Sequence, residues 1–157
     1  MGLTVWRIGL ARARTLQEQA IGSTLFAGRW HSLRSGPRPR RVVYAASSRA
    51  LAQLEKRVQA QSTAPVGQAL FALELPADVD VGHARQFGLP DEWRRDLGMS
   101  QAFGDAWLDH SAQLALWVPS VVEPDEDNLL LNPEHRRFAE VRLSILRDPF
   151  VFDPRLA

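Results

Sequence analysis

The 157-residue chain has no cysteine, and eighteen of its nineteen basic residues are arginine. Without cysteine there are no disulfides, no thiolate nucleophile and no thiolate-bound zinc, so any chemistry rests on carboxylates, hydroxyls, histidine or arginine. No apolar run approaches the roughly 20 residues that a membrane span requires. The start Met1-Gly2-Leu3-Thr4-Val5-Trp6-Arg7 also lacks the basic-then-apolar layout of a secretory signal. A cytoplasmic protein with no membrane association is the expectation. With 45% hydrophobic and 24% charged residues, the chain has the make-up of an ordinary soluble domain that buries a core.

A formal charge of +1 conceals a strong asymmetry. Residues 1–62 hold eleven Lys/Arg against two Asp/Glu, a balance of +9, and residues 63–157 hold eight against sixteen, a balance of −8. The first part reads as an anion-attracting surface, and arginine forks suit phosphate. The same counts equally describe a solvated basic face balanced by a solvated acidic one.

Alternation in Leu3-Thr4-Val5-Trp6-Arg7-Ile8 predicts a first strand, followed by a short helix over 11–20 and a turn at Gly22-Ser23. Residues 28–41 are too rich in Gly, Pro and Arg for a regular element, so Arg29, Trp30 and His31 are placed on a loop over the core. Residues 41–46 read as a strand. Ser47 or Ser48 then caps a helix running to about Ala60, with Ala50, Leu51, Leu54 and Val58 as its apolar stripe and Glu55 at the stripe's inner edge. Strands are expected at 68–75 and 114–118, each ended by proline. Between them lies a mixed polar stretch with Trp93 in a short helix, then a longer helix capped by Ser100 with Phe103, Trp107 and Leu108 on one face. An acidic loop at 123–128, a turn at Asn132-Pro133, a strand over 140–146 and a terminal strand at 150–152 complete the reading. Strands and helices do not alternate strictly and no repeat is present, so the fold class is α+β, one domain over 1–157.

Several chemistries find no support. His31, His83, His110 and His135 show no paired ligand spacing, so no metal site is expected. Gly28 and Gly36 are not followed by the residues of a phosphate loop, and there is no Gly-x-Ser-x-Gly elbow around Ser120. Arg34, Arg38, Arg40 and Arg41 near Trp30 and Tyr44 fit a nucleic-acid binder, but the acidic remainder opposes a polyanion. What remains is a set of polar residues at the ends of apolar elements: Arg29, Tyr44, Glu55 and Ser120. Each has an ordinary alternative as a surface pair, a core ring, a solvated helix residue or a turn cap.

The pieces Phe26-Ala27-Gly28-Arg29-Trp30, Val42-Val43-Tyr44-Ala45-Ala46-Ser47, Leu51-Ala52-Gln53-Leu54-Glu55 and Trp117-Val118-Pro119-Ser120-Val121-Val122 resemble RES-domain proteins in order and spacing. So do Asn128-Leu129-Leu130-Leu131-Asn132-Pro133 and Phe150-Val151-Phe152-Asp153-Pro154-Arg155-Leu156, and the likeness extends back to Trp6-Arg7-Ile8. The arginine, glutamate and serine that give the family its name look like Arg29, Glu55 and Ser120. Ala27 departs from the pattern, because a second glycine often precedes Gly28-Arg29.

The resemblance implies a fold related to ADP-ribosyltransferases, with central mixed or antiparallel sheets flanked by short helices. It also implies the toxin of a type II toxin–antitoxin pair, whose Xre-type antitoxin covers the active site and assembles with it into an oligomer. NAD⁺ is then a substrate, with no cofactor, and the nicotinamide–ribose bond is cleaved with water or phosphate as second substrate. Protein ADP-ribosylation, or a non-catalytic nucleic-acid or antitoxin-binding module, is the alternative. In this scheme Arg29, Glu55 and Ser120 are catalytic. Arg29 holds the pyrophosphate, Tyr44 packs on nicotinamide, Ser120 bonds the carboxamide or ribose, and Asn128 supports the pocket.

Overall fold

The computed structural model describes residues 2–61, 63–110 and 112–156. Its frame is a single sheet of β1 (Thr4–Leu10), β2 (Val43–Ala46), β3 (Gln68–Glu74), β4 (Val81–His83), β5 (Ala115–Pro119), β6 (Asp127–Leu131) and β7 (Arg142–Phe150). The strand order is β4-β5-β6-β2-β1-β3-β7, parallel between β4 and β5 and antiparallel at the other pairings. The class is α+β, as the sequence predicts.

Alternation divides the sheet residues between two faces. Val5, Val43, Ala45, Phe71, Leu73, Ala115, Leu129 and Leu131 build one core, covered by Leu16, Ala20, Phe138 and Val141. On the opposite face two clusters lie side by side. Tyr44, Leu116, Val118 and Leu130 pack under Trp30, Trp93, Trp107 and Leu108, whereas Ile8, Ala46 and Leu70 pack under Leu51 and Ala52. Ala46 pairs with Asn128, and Tyr44 with Leu130. The seam between the two clusters therefore runs over β2 and β6, with Tyr44 on one bank and Asn128 on the other.

Several local expectations are corrected. The predicted helix over 11–20 shrinks to α1 (Leu16–Gln19), capped by Thr15, because residues 11–13 turn back on Gly67 and Leu10 through backbone bonds. The turn at Gly22-Ser23 is a one-turn helix, α2 (Gly22–Leu25). In α3 (Arg49–Gln59), capped by Ser48, the inward face carries Leu51 and Ala52, with Glu55 and Lys56 one turn on. Ala50, Leu54 and Val58 face solvent instead, so the stripe is rotated from the expected one.

The longer helix, α4 (Leu97–His110), starts before Ser100, since the Asp96 carboxylate accepts from the Met99 amide. Ser100 is fully buried within it. Asp127 and Asn128, read as the end of an acidic loop, open the central strand β6 instead, and β4 also went unpredicted. The strand expected over 140–146 begins at Arg142 and absorbs the separate terminal strand up to Phe150. No helix among the described residues is long and apolar enough to cross a membrane.

Candidate active site

Helix α4 fixes the loop that carries Arg29. Gly104 lies so close to it that an added Cβ would fall 1.7 Å from the Trp30 carbonyl oxygen, a distance only glycine permits. Around that contact, Ser100 Oγ donates to the Arg29 carbonyl at 2.7 Å and Gln101 Nε2 to the Gly28 carbonyl at 3.0 Å. Asp105 accepts from the amide and hydroxyl of Ser32. The irregular segment is thus held by four positions along one helix face.

The ring of Tyr44 closes the other side of this loop. His31, only 1% exposed, points Nε2 at the Ser23 carbonyl at 2.9 Å. A carbonyl only accepts, so Nε2 carries the proton and Nδ1 accepts from the Tyr44 hydroxyl at 2.6 Å. The same hydroxyl accepts from the Trp30 amide at 3.2 Å. Burial pushes the Tyr44 phenol well above its ordinary value and holds the His31 imidazole below its own, so both are neutral near pH 7. Tyr44 has spent its hydroxyl on the protein, and what it offers a ligand is ring surface. Gly28 is required by this arrangement, since a Cβ there would meet the Tyr44 hydroxyl at 2.5 Å. Ala27 is exposed, so the departure from a double glycine costs nothing in packing.

Glu55, Ser120 and Asn128 form a second group. Glu55 Oε1 accepts from Ser120 Oγ at 2.6 Å and from Asn128 Nδ2 at 2.8 Å, joining α3 to the end of β5 and the start of β6. Ser120 is fully buried, and its oxygen also accepts from the Glu123 amide at 3.0 Å. Glu55 Oε2 takes no hydrogen bond among the described residues, and Asn128 Oδ1 is buried without a partner. A carboxylate anchored through one oxygen and open at the other is pre-oriented at no further entropic cost when a ligand arrives.

Arg29 makes no direct bond to that group. Its Nη2 donates to the carbonyls of Trp93, at 3.0 Å, and Arg94, and its guanidinium carbon lies 5.7 Å from the Trp93 ring centroid. Trp93 in turn stacks on Trp30, with centroids 5.3 Å apart. Arg29 Nε is buried with no partner among the described residues. Arg94 completes the link, because its Nη2 donates at 2.9 Å to the carbonyl of Val121, next to Ser120. The structure therefore brings Glu55, Ser120 and Asn128 into contact, and ties Tyr44 and Arg29 to them through shared neighbours on the same sheet face.

Sequence reasoning missed His31 and Arg94. His31 was weighed only as a metal ligand, although its place two residues after Arg29 was a signal. Arg94 carried none, because its role depends on a tertiary contact. The basic cluster is largely neutralised: Arg34 and Arg40 pair with Asp109, Arg40 also with Asp105, and Arg41 with Glu134. Arg34, Arg40, Arg41, Asp109 and Glu134 line a groove of about 580 Å³ beside the C-terminal end of α4.

The α+β sheet thus carries a carboxylate, hydroxyl and amide cluster on one bank of a seam and an aromatic-backed arginine on the other, an arrangement chemically suited to a small polar ligand. The RES domain family model matches residues 4–153, and the chain belongs to that family. Among its relatives, Toxin Res of Yersinia enterocolitica serotype O:8 / biotype 1B is 32% identical over 98% of this chain and 99% of its own. The Prs ADP-ribosylating toxin of Sphingobium sp. (strain YBL2) is 34% identical over 99% and 98% of the two chains. Toxin Res of Pseudomonas putida (strain KT2440) is 32% identical over 98% and 99%.

Proposed function

We propose that this protein is the toxin of a toxin–antitoxin pair and cleaves NAD⁺ at the nicotinamide–ribose bond. The observation that carries the reading is the Glu55 carboxylate, held through one oxygen by Ser120 and Asn128 with the other oxygen unspent. In the proposed step the C1″–N bond breaks and its electron pair leaves with nicotinamide, which departs neutral without a general acid. The anomeric carbon gains oxocarbenium character, and Glu55 stabilises that charge. Water then adds at C1″ and loses a proton; phosphate as acceptor gives ADP-ribose-1″-phosphate instead.

Tyr44 presents its ring to nicotinamide, and Asn128 Oδ1, a buried acceptor lacking a donor, suits the carboxamide N–H or a ribose hydroxyl. Ser120, already donating to Glu55, orients that carboxylate and the pocket wall. Arg29 has Nε unpaired beside the Trp93 ring and takes the pyrophosphate. NAD⁺ enters as substrate and the site needs no cofactor or metal.

An antitoxin of Xre type, bound over the cleft, is the proposed partner. The α2 segment just before Gly28-Arg29 supports this, since it exposes Ile21, Leu25 and Phe26, the last at 75%. A second reading, transfer of ADP-ribose to a protein, is favoured by the name of the Sphingobium relative. Incubating antitoxin-free protein with NAD⁺, with and without phosphate, and weighing the products by mass tests both. Free ADP-ribose or its 1″-phosphate supports the main reading and a mass gain on a protein supports the second, whereas intact NAD⁺ refutes them together.

A further inference from the structure

Glu55 owes its orientation to two donors that flank one turn. Strand β5 ends at Pro119 and β6 begins at Asp127, and these two residues pair, so residues 120–126 form a closed turn between them. Ser120 opens the turn and Asn128 follows it, and both donate to Glu55 Oε1. Within the turn the Ser120 amide donates to the Glu126 carbonyl at 3.0 Å, and the Glu126 amide to the Glu123 carbonyl at 3.0 Å. Glu123, Asp125, Glu126 and Asp127 crowd this stretch, and their mutual repulsion works against its closure.

Two arginines from a single segment grip the turn. Residues 84–95 run as two one-turn helices, Ala84–Phe87 and Asp91–Arg94, parted at Gly88, whose φ of 80° is left-handed. Ala84, Leu89 and Trp93 pack into the cluster that contains Trp30, which anchors the segment to the sheet. The arginine beside two of these anchors reaches outward. Arg94 Nη2 donates to the Val121 carbonyl at 2.9 Å, one residue after Ser120. Arg85 Nη2 donates to the Pro124 carbonyl at 3.1 Å, and Nη1 to Asp127 Oδ1 at 3.3 Å, one residue before Asn128. Neither guanidinium bonds Glu55, Ser120 or Asn128 itself among the described residues.

We propose that Arg85 and Arg94 are positioning residues that set the orientation of the Glu55 carboxylate by clamping the 120–127 turn to the 84–95 segment. This rests on the NAD⁺ reading of the site and adds to it two residues that act only through others. Glu55 takes both of its bonds on one oxygen, so a turn released at Val121 or Asp127 carries Ser120 and Asn128 with it and swings the open oxygen off its target. Misplacement by about 1 Å can cost roughly a hundredfold in rate, and the loss of one clamp of two costs less.

Arg85→Met and Arg94→Met, singly and together, test the clamp by nicotinamide release from NAD⁺, with urea midpoints and hydrogen exchange of the Ser120 and Glu123 amides alongside. Both side chains are exposed, so the variants should unfold like wild type. Each single variant should lose about tenfold in kcat, with KM for NAD⁺ within about twofold. Arg94→Lys keeps a donor for the Val121 carbonyl and should recover most of the loss. In a Glu55→Gln background the Arg94→Met loss should vanish, because the charge being aimed is gone. An equal loss in that background, a rise in KM alone, or an unchanged kcat in the double variant overturns the proposal. Should the wild-type protein leave NAD⁺ intact, the proposed reaction falls and hydrogen exchange judges the clamp separately. Faster exchange of both amides in the double variant sustains the clamp, and unchanged exchange refutes it.

Discussion

Replacing Glu55 by glutamine separates its charge from its structural bonds. The retained Oε1 still accepts from Ser120 Oγ and Asn128 Nδ2, which sit at 2.6 and 2.8 Å in the wild type. Only the unpartnered oxygen becomes an amide. The fold should therefore lose no more than the ordinary cost of a surface change, about 0.5 kcal/mol. The missing charge is another matter. A unit charge about 4 Å from a developing cation is worth roughly 4 kcal/mol at an effective dielectric near 20. That corresponds to about a thousandfold in rate. The assay is nicotinamide release from NAD⁺ followed by chromatography, alongside urea unfolding of both proteins. Glu55→Ala is the contrasting variant: it also strands Ser120 and Asn128, and should cost a further 1–3 kcal/mol or so of stability. A Glu55→Gln protein that unfolds like wild type and retains a tenth or more of its turnover would remove the carboxylate charge from the mechanism.

Other substitutions probe the supports of the site. Tyr44→Phe keeps the ring face but leaves His31 Nδ1 and the Trp30 amide without partners, so unfolding free energy should fall by about 1–3 kcal/mol. No change in the urea midpoint would contradict the bonding assigned to that hydroxyl. Gly104→Ala places a methyl against the Trp30 carbonyl and should cost about 1–3 kcal/mol or more, with Trp fluorescence altered as the Arg29 loop shifts. For His31, burial holds the folded pKa below the ordinary value, so the folded state disfavours the charged ring. Its contribution is intact above the unfolded pKa of about 6.5 and is lost as pH falls through the lower folded value. Urea midpoints from pH 8 to 5 should decline more steeply in wild type than in His31→Gln, and equal slopes would show that His31 does not titrate as argued.

What the sequence made legible follows the reach of each signal. β1 and β3 were readable because alternation and terminating proline or polar residues are local. β6 was not, since Asp127-Asn128 reads as acidic loop and only pairing with β2 and β5 makes it a central strand. The rotation of α3 escaped for a related reason: Leu54 and Val58 look like core by composition, but packing on β1 and β2 selects the Leu51 and Ala52 face. That rotation leaves Glu55 inward, so its expected orientation held although the stripe around it did not. The bond joining Glu55 to Ser120 spans 65 residues, and no local pattern encodes such a contact. Those residues came into view through family resemblance, whereas His31 and Arg94 emerged only from side-chain geometry.

The charge asymmetry acquires its meaning from which basic residues find partners. Among the described residues, every ion pair made by the first part runs to an acid of the second: Arg14 to Asp148, Arg34 to Asp109, Arg40 to Asp105 and Asp109, Arg41 to Glu134. The basic face expected for a polyanion is thus mostly spent within the molecule. Arg12, Arg38 and Arg49 are exposed, and their charges are met by water. Arg7, Arg29 and Lys56 are different, because they are half-buried and no carboxylate is paired to them among the described residues. Three half-buried cations give no continuous exposed track for the phosphates of an extended strand of nucleic acid. Affinity for single-stranded RNA should accordingly be weak and shallow in its salt dependence, as filter binding at two salt concentrations would reveal. Tight binding with a slope demanding several phosphate contacts would mean that the Arg34, Arg40 and Arg41 pairs open to admit a polyanion, contrary to the neutralisation their geometry implies.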